Sequence, residues 1–229
     1  MPENAPEDIY AKRLANKEST KTWYLQQKGQ RVVEALQRNG FGAMYIPSRA
    51  QAKEEVLNLV PNGTTIGTGG SMTLRELGIT QHLADKGHTM YDHWKPGLSA
   101  DEVLAVRRAQ LTCDVFLTSV NAITSDGELV STDGIGNRVA ATIFGPKKVI
   151  IVAGVNKIVK DVQAALRRTK EVAAPLSLKE TGMPIPCVQS GICADCSSPL
   201  RMCRATMILE RKPFNSDITV LIVGEDLGF

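Results

Sequence analysis

The stretch KKVIIVAG, residues 147–154, decides the fold of this 229-residue chain. Its Val and Ile residues follow one another without polar interruption, which is typical of a parallel strand covered on both faces. Helices are predicted on each side, from Asn137 to Phe144 and over KIVKDVQAALRRTKEV, residues 157–172. DITVLIVGEDLGF, residues 217–229, predicts another buried strand. A buried strand between helices indicates an α/β fold.

The same alternation of strands and helices extends toward the N-terminus. Further strands are predicted in GAMYIPS (42–48), TTIG (64–67), TMYDHW (89–94) and DVFLTSV (114–120). Helices are predicted after three serines that can cap them, Ser48, Ser71 and Ser99. NAITSDGELVST, residues 121–132, predicts a β-hairpin around Asp126-Gly127. We therefore expect a mostly parallel sheet with helices on both faces.

The domain organisation follows from the helical pattern and the prolines. Residues 1–40 are predicted to form an N-terminal helical segment, and residues 41–229 one α/β domain. A proline-punctuated, cysteine-rich loop at residues 175–205 is predicted as an insertion before the last strand.

Composition and charge exclude several classes of protein. The longest apolar run, Val149–Val155, is far shorter than the roughly 18 residues of a membrane span. The N-terminus is polar from its first residue and has no apolar signal core, so we expect a cytoplasmic protein with reduced cysteines. A net charge of +3, with no aromatic residues among the basic ones of the C-terminal third, argues against nucleic-acid binding.

The first candidate site is TIGTGGSMT, residues 65–73, where Gly67, Thr68, Gly69 and Gly70 end a strand and Ser71 opens a helix. Glycines let backbone N–H groups approach an anion closely, and a helix N-terminus adds partial positive charge. The pattern is neither a P-loop nor a dinucleotide fingerprint. A tight turn capped by Ser71, without any ligand, is the alternative interpretation.

The second candidate site is a set of polar residues in the loops that follow the next predicted strands: Asn121, Asp126, Glu128, Asp133, Asn137 and Arg138. Ligands of open α/β sheets bind outside the carboxyl ends of the strands, so these side chains lie where a site is expected. Asp126-Gly127 and Asp133-Gly134 are also typical of simple turns.

Two stretches, IGTGGSMTLRELGI (66–79) and DVFLTSVNAITSDGELVSTDGIGNRVAATIFGPKKVIIVAGVNKIV (114–159), together resemble the LUD-domain family, the lactate-utilisation proteins of the LutC/YkgG type. The resemblance extends from roughly Tyr24 to the end of the sequence. That family is similar in turn to the fold shared by ribose-5-phosphate isomerase, glucosamine-6-phosphate deaminase and coenzyme A transferases. In that fold a loop matching Gly67–Ser71 holds a phosphate or coenzyme A.

The resemblance implies a role in oxidation of L-lactate to pyruvate, with iron–sulfur or oxidoreductase subunits as partners and a small anionic metabolite as ligand. The transferase nucleophile has no convincing equivalent, since Glu128 follows a hairpin turn. The paired acids and lysine of an aldose–ketose isomerase are not apparent either. We therefore expect neither chemistry, and the sequence leaves open the catalytic residues, enzymatic activity itself and assembly into a homo-oligomer.

The cysteine-rich loop has the spacing C-x5-C-x2-C-x6-C, formed by Cys187, Cys193, Cys196 and Cys203. Four thiols can hold an iron–sulfur cluster or a tetrahedral zinc ion, and neighbouring arginines can offset the negative charge. The family resemblance favours a 4Fe-4S cluster. Structural zinc, a redox dithiol at the inner pair and four free thiols are the alternatives.

The remaining cysteine and the three histidines complete the inventory of reactive side chains. Cys113 precedes a buried strand and is predicted to lie in the core. His82, His88 and His93 are predicted at the surface or in loops, with a place beside the site as the alternative for His93.

Two other functions remain open beside lactate oxidation. One is an enzyme that acts on coenzyme A or a sugar phosphate, in which the cysteines bind a structural zinc ion that only stabilises a loop. The other is a sensor that binds a metabolite without turning it over.

Overall fold

Two sheets organise the fold of the computed structural model, which describes residues 6–229. The larger sheet has six strands, all parallel, in the order β1-β10-β7-β4-β2-β3. Its strands are β1 (Gly42–Ile46), β2 (Thr65–Thr68), β3 (Thr89–Tyr91), β4 (Val115–Thr118), β7 (Lys148–Gly154) and β10 (Ile218–Val223). The predicted α/β fold with a mostly parallel sheet is confirmed.

β7 and β10 lie side by side within this sheet because both are apolar over nearly their whole length. On one face, Ile151 of β7 packs with Val32 of the N-terminal helical segment. On the other face, Ile150 packs with Val56 and Leu83, which come from two different helices. Helices therefore cover both faces, as the unbroken apolar run in β7 predicts.

Ten α-helices flank or connect the strands within the described residues. They are α1 (Pro6–Ala15), α2 (Lys17–Arg38), α3 (Arg49–Leu59), α4 (Met72–Glu76), α5 (Ile79–Asp85), α6 (Ala100–Ala109), α7 (Asn137–Ile143), α8 (Val162–Arg168), α9 (Ala174–Glu180) and α10 (Pro186–Ser190). The hydroxyls of Ser48, Ser71 and Ser99 accept hydrogen bonds at the starts of α3, α4 and α6, as predicted.

The second sheet has four strands in the order β8-β5-β6-β9. They are β5 (Ala122–Thr124), β6 (Leu129–Asp133), β8 (Ile158–Val159) and β9 (Ala205–Leu209). β5 and β6 form the predicted hairpin, and β9 runs antiparallel to β6. β9 was not predicted, because its sequence ATMIL does not alternate between apolar and polar residues. In the structure its side chains do alternate in burial, since Met207 and Leu209 are buried and Ile208 is exposed. The cysteine-rich region therefore precedes two strands, β9 and β10.

The N-terminal segment is helical through α1 and α2. Residues 1–5 of the predicted segment 1–40 lie outside the described residues. α2 packs on the large sheet through Val32 and Leu36, so its C-terminal half contributes to the main core. The boundary between segment and domain stays a prediction. Between residues 6 and 229, no helix combines the length and apolar composition that crossing a bilayer requires.

Candidate functional site

A cavity of about 460 Å³ lies where the carboxyl ends of β2 and β4 approach the second sheet. The glycine loop after β2 and the residues after β4 form one side. The end of β6, the start of α7, the turn after β7 and α9 form the others. This is the position at which open α/β sheets bind ligands, and the volume suits a small molecule.

The glycine loop is tightly packed against its neighbours. A Cβ on Gly69 would lie 2.8 Å from Thr118 Oγ1 and 2.9 Å from Phe116, so a side chain has no room there. Gly70 has φ +41°, and a Cβ on it would lie 2.5 Å from Trp94 Nε1. Ser71 then caps α4, which is only five residues long. The loop can offer backbone N–H groups to a ligand, whereas so short a helix adds little dipole.

Six of the nine predicted ligand-binding residues line the cavity: Gly69, Gly70, Ser71, Asn121, Asp133 and Asn137. The other three lie elsewhere. Gly67 is buried within β2, where a Cβ would lie 3.0 Å from Cys113 Sγ, so close packing explains this glycine. The carbonyl of the neighbouring Thr68 accepts from Gln110. Asp126 is exposed in the hairpin turn, where its carbonyl accepts from Asn39, and Glu128 is held there by the Thr124 hydroxyl.

Asp133 and Arg138 form a half-buried ion pair on the cavity wall. Asp133 accepts the side-chain Nε–H of Arg138 at 2.9 Å and the backbone N–H groups of Arg138 and Val139. The terminal nitrogens of Arg138 donate to Asn121 Oδ1 and to the carbonyls of Ser119 and Thr132. Because these donors already have partners, Arg138 contributes structure and charge to the cavity rather than free hydrogen bonds.

Asn137 belongs to a second polar chain that ends at a histidine. Asn137 Nδ2 donates to Gln110 Oε1 at 3.2 Å, and the fully buried Gln110 lies 2.9 Å from His93 Nδ1 through its Nε2. Burial, followed by the nearby Arg107, lowers the pKa of His93. His93 thus lies beside the site, the alternative that its sequence position left open, and is neutral at neutral pH.

Arg107 is a cavity-lining residue that the sequence analysis did not single out. It lies on α6, and its buried Nε has no hydrogen-bond partner within the described residues. A buried donor without a partner costs free energy, which an anionic ligand in the cavity would recover. Its neighbour Arg108 is exposed, so the two arginines differ only in the face of α6 on which they lie.

Lys157 is the second cavity-lining cation that the sequence analysis missed. It ends the turn after β7 and is only 3% exposed. Its Nζ donates to the hydroxyls of Thr73 at 3.0 Å and Ser119 at 2.9 Å. Burial, with the charges of Arg168 and Arg138, lowers its pKa to about 7. A lysine between Val155 and Ile158, directly after an apolar strand, was the available sequence signal.

The four clustered cysteines come together around one small void. Cys187, Cys193, Cys196 and Cys203 all line it, together with Asp195 and Arg201. Burial, followed by neighbouring thiols, raises the pKa values of Cys187 and Cys203. The sequence-distant thiols are therefore spatial neighbours. Cys113, by contrast, is 1% exposed in the main core, as predicted, and burial raises its pKa to about 11.

Polar contacts fix the loop around these thiols. Asp195 Oδ1 accepts from Lys170 at 3.0 Å and from Arg201 at 2.7 Å. Arg201 also donates to the carbonyls of Cys196 and Cys203. Within the part of the chain that the structure describes, no three His, Cys, Asp or Glu side chains stand at the spacing of a single-ion site.

The void between the thiols and the large cavity share a wall. Met202 and Cys203 line both, together with Ala174 and Leu178 of α9. Gly134 makes this approach possible, since a Cβ there would lie 2.5 Å from the end of the Met202 side chain. The backbone N–H of Arg204 donates to the Asp133 carbonyl at 3.0 Å and joins the cysteine-rich region to β6.

Two of three comparisons with known proteins give a match. The family model described as "LUD domain" matches residues 29–223. A search of curated proteins gives no match. Among solved structures, the chain is similar to a DUF162 family protein from Deinococcus radiodurans, with 16% identity and a TM-score of 0.52. The alignment covers 87% of this chain and 98% of that one, and at such identity it supports the fold alone.

Proposed function

Because this chain belongs to the LUD-domain family, we propose that it acts in L-lactate utilisation, as a subunit or accessory of an electron-transfer complex that oxidises L-lactate to pyruvate. The observation that carries the proposal is the wall that the large cavity shares with the four-cysteine void, formed in part by Met202 and Cys203. An anion site next to a group of thiols suits a protein that binds a carboxylate substrate and passes on its electrons. The cytoplasm, where thiols stay reduced, is the compartment that this proposal requires.

The carboxylate is bound in the cavity by cationic and hydrogen-bonding groups. Arg107 supplies a buried N–H without a protein partner. The backbone N–H groups of the glycine loop, at Gly70 and Ser71, supply neutral donors. A guanidinium pairs with a carboxylate through short, charge-assisted hydrogen bonds, which makes Arg107 the main anchor.

Cys187, Cys193, Cys196 and Cys203 fit a 4Fe-4S cluster by their number, their chemistry and their position around one void. Four thiols can hold a tetrahedral zinc ion or a 4Fe-4S cluster. The electron-transfer role proposed here favours the cluster. When bound, it supplies one-electron transfer. Arg201 and Lys170 beside the void offset the charge of the thiolates.

Calorimetric titration with L-lactate and with pyruvate tests the anion site. We expect binding, and Arg107→Met should weaken it by about 10- to 100-fold, the range for losing a hydrogen bond to a charged group. Arg108→Met removes an exposed arginine from the same helix and should leave the affinity unchanged.

Sugar phosphates and acyl-coenzyme A belong in the same titration series. Binding of those compounds with no response to L-lactate or pyruvate would overturn the proposal in favour of an enzyme of the phosphate-handling type. Binding of lactate without turnover by any assembly would favour a sensor.

Isolation of the native assembly without oxygen tests the complex. We expect iron–sulfur oxidoreductase subunits to accompany this chain, and the assembly to reduce an electron-accepting dye when L-lactate is added. The chain carrying Arg107→Met should assemble normally and support dye reduction only at higher lactate concentration. Recovery of the chain without such subunits, and without lactate-dependent dye reduction, would contradict the proposal.

A further inference from the structure

Lys157 combines three properties that a solvated or ion-paired lysine lacks. It is 3% exposed, it lines the ligand cavity, and its hydrogen-bond partners in the described chain are two hydroxyls, those of Thr73 and Ser119. The charge contacts proposed above use Arg107 and leave this amine without a role. A buried amine that faces a cavity is a nucleophile when it carries no proton.

The surroundings of Lys157 favour the uncharged amine. Burial lowers the pKa of Lys157 to about 7, and the positive charges of Arg168 in α8 and Arg138 in α7 contribute to this shift. Glu76 of α4 acts in the opposite direction but less strongly, and its carboxylate accepts the backbone N–H of Gly228. Desolvation next to other cations is a known means of activating a lysine nucleophile.

The hydrogen bonds match an amine as well. An uncharged amine has two N–H groups and one lone pair, whereas an ammonium has three N–H donors. Thr73 and Ser119 take up two N–H groups, so the amine's lone pair is left for an electrophile in the cavity. Gly228 closes the other side, since a Cβ there would lie 3.4 Å from Lys157 Nζ and 2.6 Å from Thr73 Oγ1.

We propose that Lys157 is a catalytic amine that condenses with the carbonyl carbon of a 2-oxo acid held in the cavity. A bond forms between Nζ and the carbonyl carbon, giving a carbinolamine. The carbonyl oxygen then leaves as water and an iminium remains. Of the two protons in that water, one comes from the amine and one from solvent through the hydroxyls of Thr73 and Ser119. No electron transfer is required, and the carboxylate of the ligand stays paired with Arg107.

This inference rests on the proposed function, because pyruvate, the product of lactate oxidation, is the 2-oxo acid expected in the cavity. It goes further in assigning covalent chemistry to the site. A 2-hydroxy acid has no carbonyl carbon at that position and cannot form the iminium, so L-lactate provides a matched non-reactive ligand.

Borohydride trapping of the full-length protein tests the assignment. The protein is mixed with pyruvate, reduced with sodium borohydride and analysed by intact mass and peptide mapping. We expect one reduced pyruvyl adduct per chain, on the peptide that contains Lys157, and none with L-lactate. Lys157→Arg should lower the adduct yield at least tenfold, whereas Lys160→Arg, at an exposed lysine three residues away, should leave it unchanged.

The outcomes separate the two proposals. Calorimetric binding of pyruvate without an adduct at Lys157, or with the adduct on another lysine, overturns the inference and leaves the proposed function standing. Absence of both binding and adduct overturns both. If Lys157→Arg does not fold, Ser119→Ala removes one partner of the amine and should slow trapping while pyruvate still binds. An unchanged trapping rate in that variant also contradicts the role assigned to the hydroxyls.

Discussion

The floor of the cavity, meaning the glycine loop at Gly69–Ser71 and the turn that ends at Lys157, and the cysteine-rich region are held in place by different kinds of interaction. The two parts of the floor follow β2 and β7, and each of these strands pairs with a parallel strand on both sides. The cysteine-rich region, residues 175–205, contains most of α9 and the short helix α10, and most of its remaining residues are irregular, with polar contacts between Asp195 and Arg201. The fold itself builds the floor, whereas under the proposed function the thiols would gain a rigid arrangement by sharing a metal centre. The two regions should therefore respond differently to substitution.

The largest effect is expected from removing one of the four thiols proposed to hold the cluster. Cys196→Ala should lower the iron and sulfide content of protein purified without oxygen at least tenfold, since even groups outside the ligand set alter metal affinity 10- to 100-fold. The visible absorption of the cluster should disappear with the iron. Pyruvate binding should change much less, because Arg107 and the glycine loop are positioned by the sheet.

Cys113→Ala is the matched control for this substitution. It removes a thiol from the main core, so it should cost stability without loss of iron. Colourless wild-type protein with one zinc ion per chain would contradict the cluster, and metal-free wild-type protein would contradict any metal centre.

The same contrast explains which features the sequence could predict. The glycine turn, the hairpin at Asp126-Gly127 and the caps at Ser71 and Ser99 depend on nearby residues, and the structure confirms them. β9 joins β6 across more than seventy residues, from Asp133 to Ala205, so no local pattern revealed its partner. The existence of the second sheet therefore required the tertiary structure.

The next effect concerns the glycine loop, where Gly70→Ala and Gly87→Ala form a matched pair. Both glycines have positive φ, +41° and +83°, so each alanine carries a strain of about 1–2 kcal/mol. Only at Gly70 would the new Cβ collide with Trp94, while nothing lies within 4 Å at Gly87. Because the clash adds to the backbone strain, we expect the larger loss of stability in urea unfolding for Gly70→Ala, and about tenfold weaker pyruvate binding in that variant alone. Equal affinities in the two variants would show that this loop does not contact the ligand.

Another effect is expected in the pH dependence of stability. The pKa of Lys157 is about 7 in the folded protein and about 10.4 when unfolded. Below pH 7 both states are protonated and the full burial penalty applies. Between pH 7 and about pH 10.4, Lys157 is protonated in the unfolded state and uncharged in the folded state. The free energy of unfolding therefore rises with pH in this range, by at most about 1.4 kcal/mol per pH unit. Urea unfolding of the wild type and Lys157→Met between pH 7 and 9 should show this slope only in the wild type.

Lys157 and Arg107 also show where the sequence analysis fell short. Both lie in stretches that were predicted to be helical, Lys157 at the start of the one over residues 157–172 and Arg107 in the one after Ser99. Lysine and arginine are normally solvated, and their burial depends on elements distant in sequence, such as Gly228 above Lys157. The hairpin shows the converse case, because Asn121 and Thr132 at its two ends line the cavity whereas Asp126 is exposed in the turn between them.

The smallest effect is expected from Asp195→Asn, and it tests the comparison most directly. Asp195 has φ +45°, which asparagine adopts readily, so the substitution removes the charge contacts with Lys170 and Arg201 while preserving the backbone. Its carboxylate is largely solvated, so we expect a drop in Tm of roughly 1–2 °C that vanishes at high salt. If the proposed metal centre holds the region, iron content should stay within about twofold of the wild type. Iron loss as large as that of Cys196→Ala would mean that the polar contacts, rather than the metal, determine the arrangement of the four thiols.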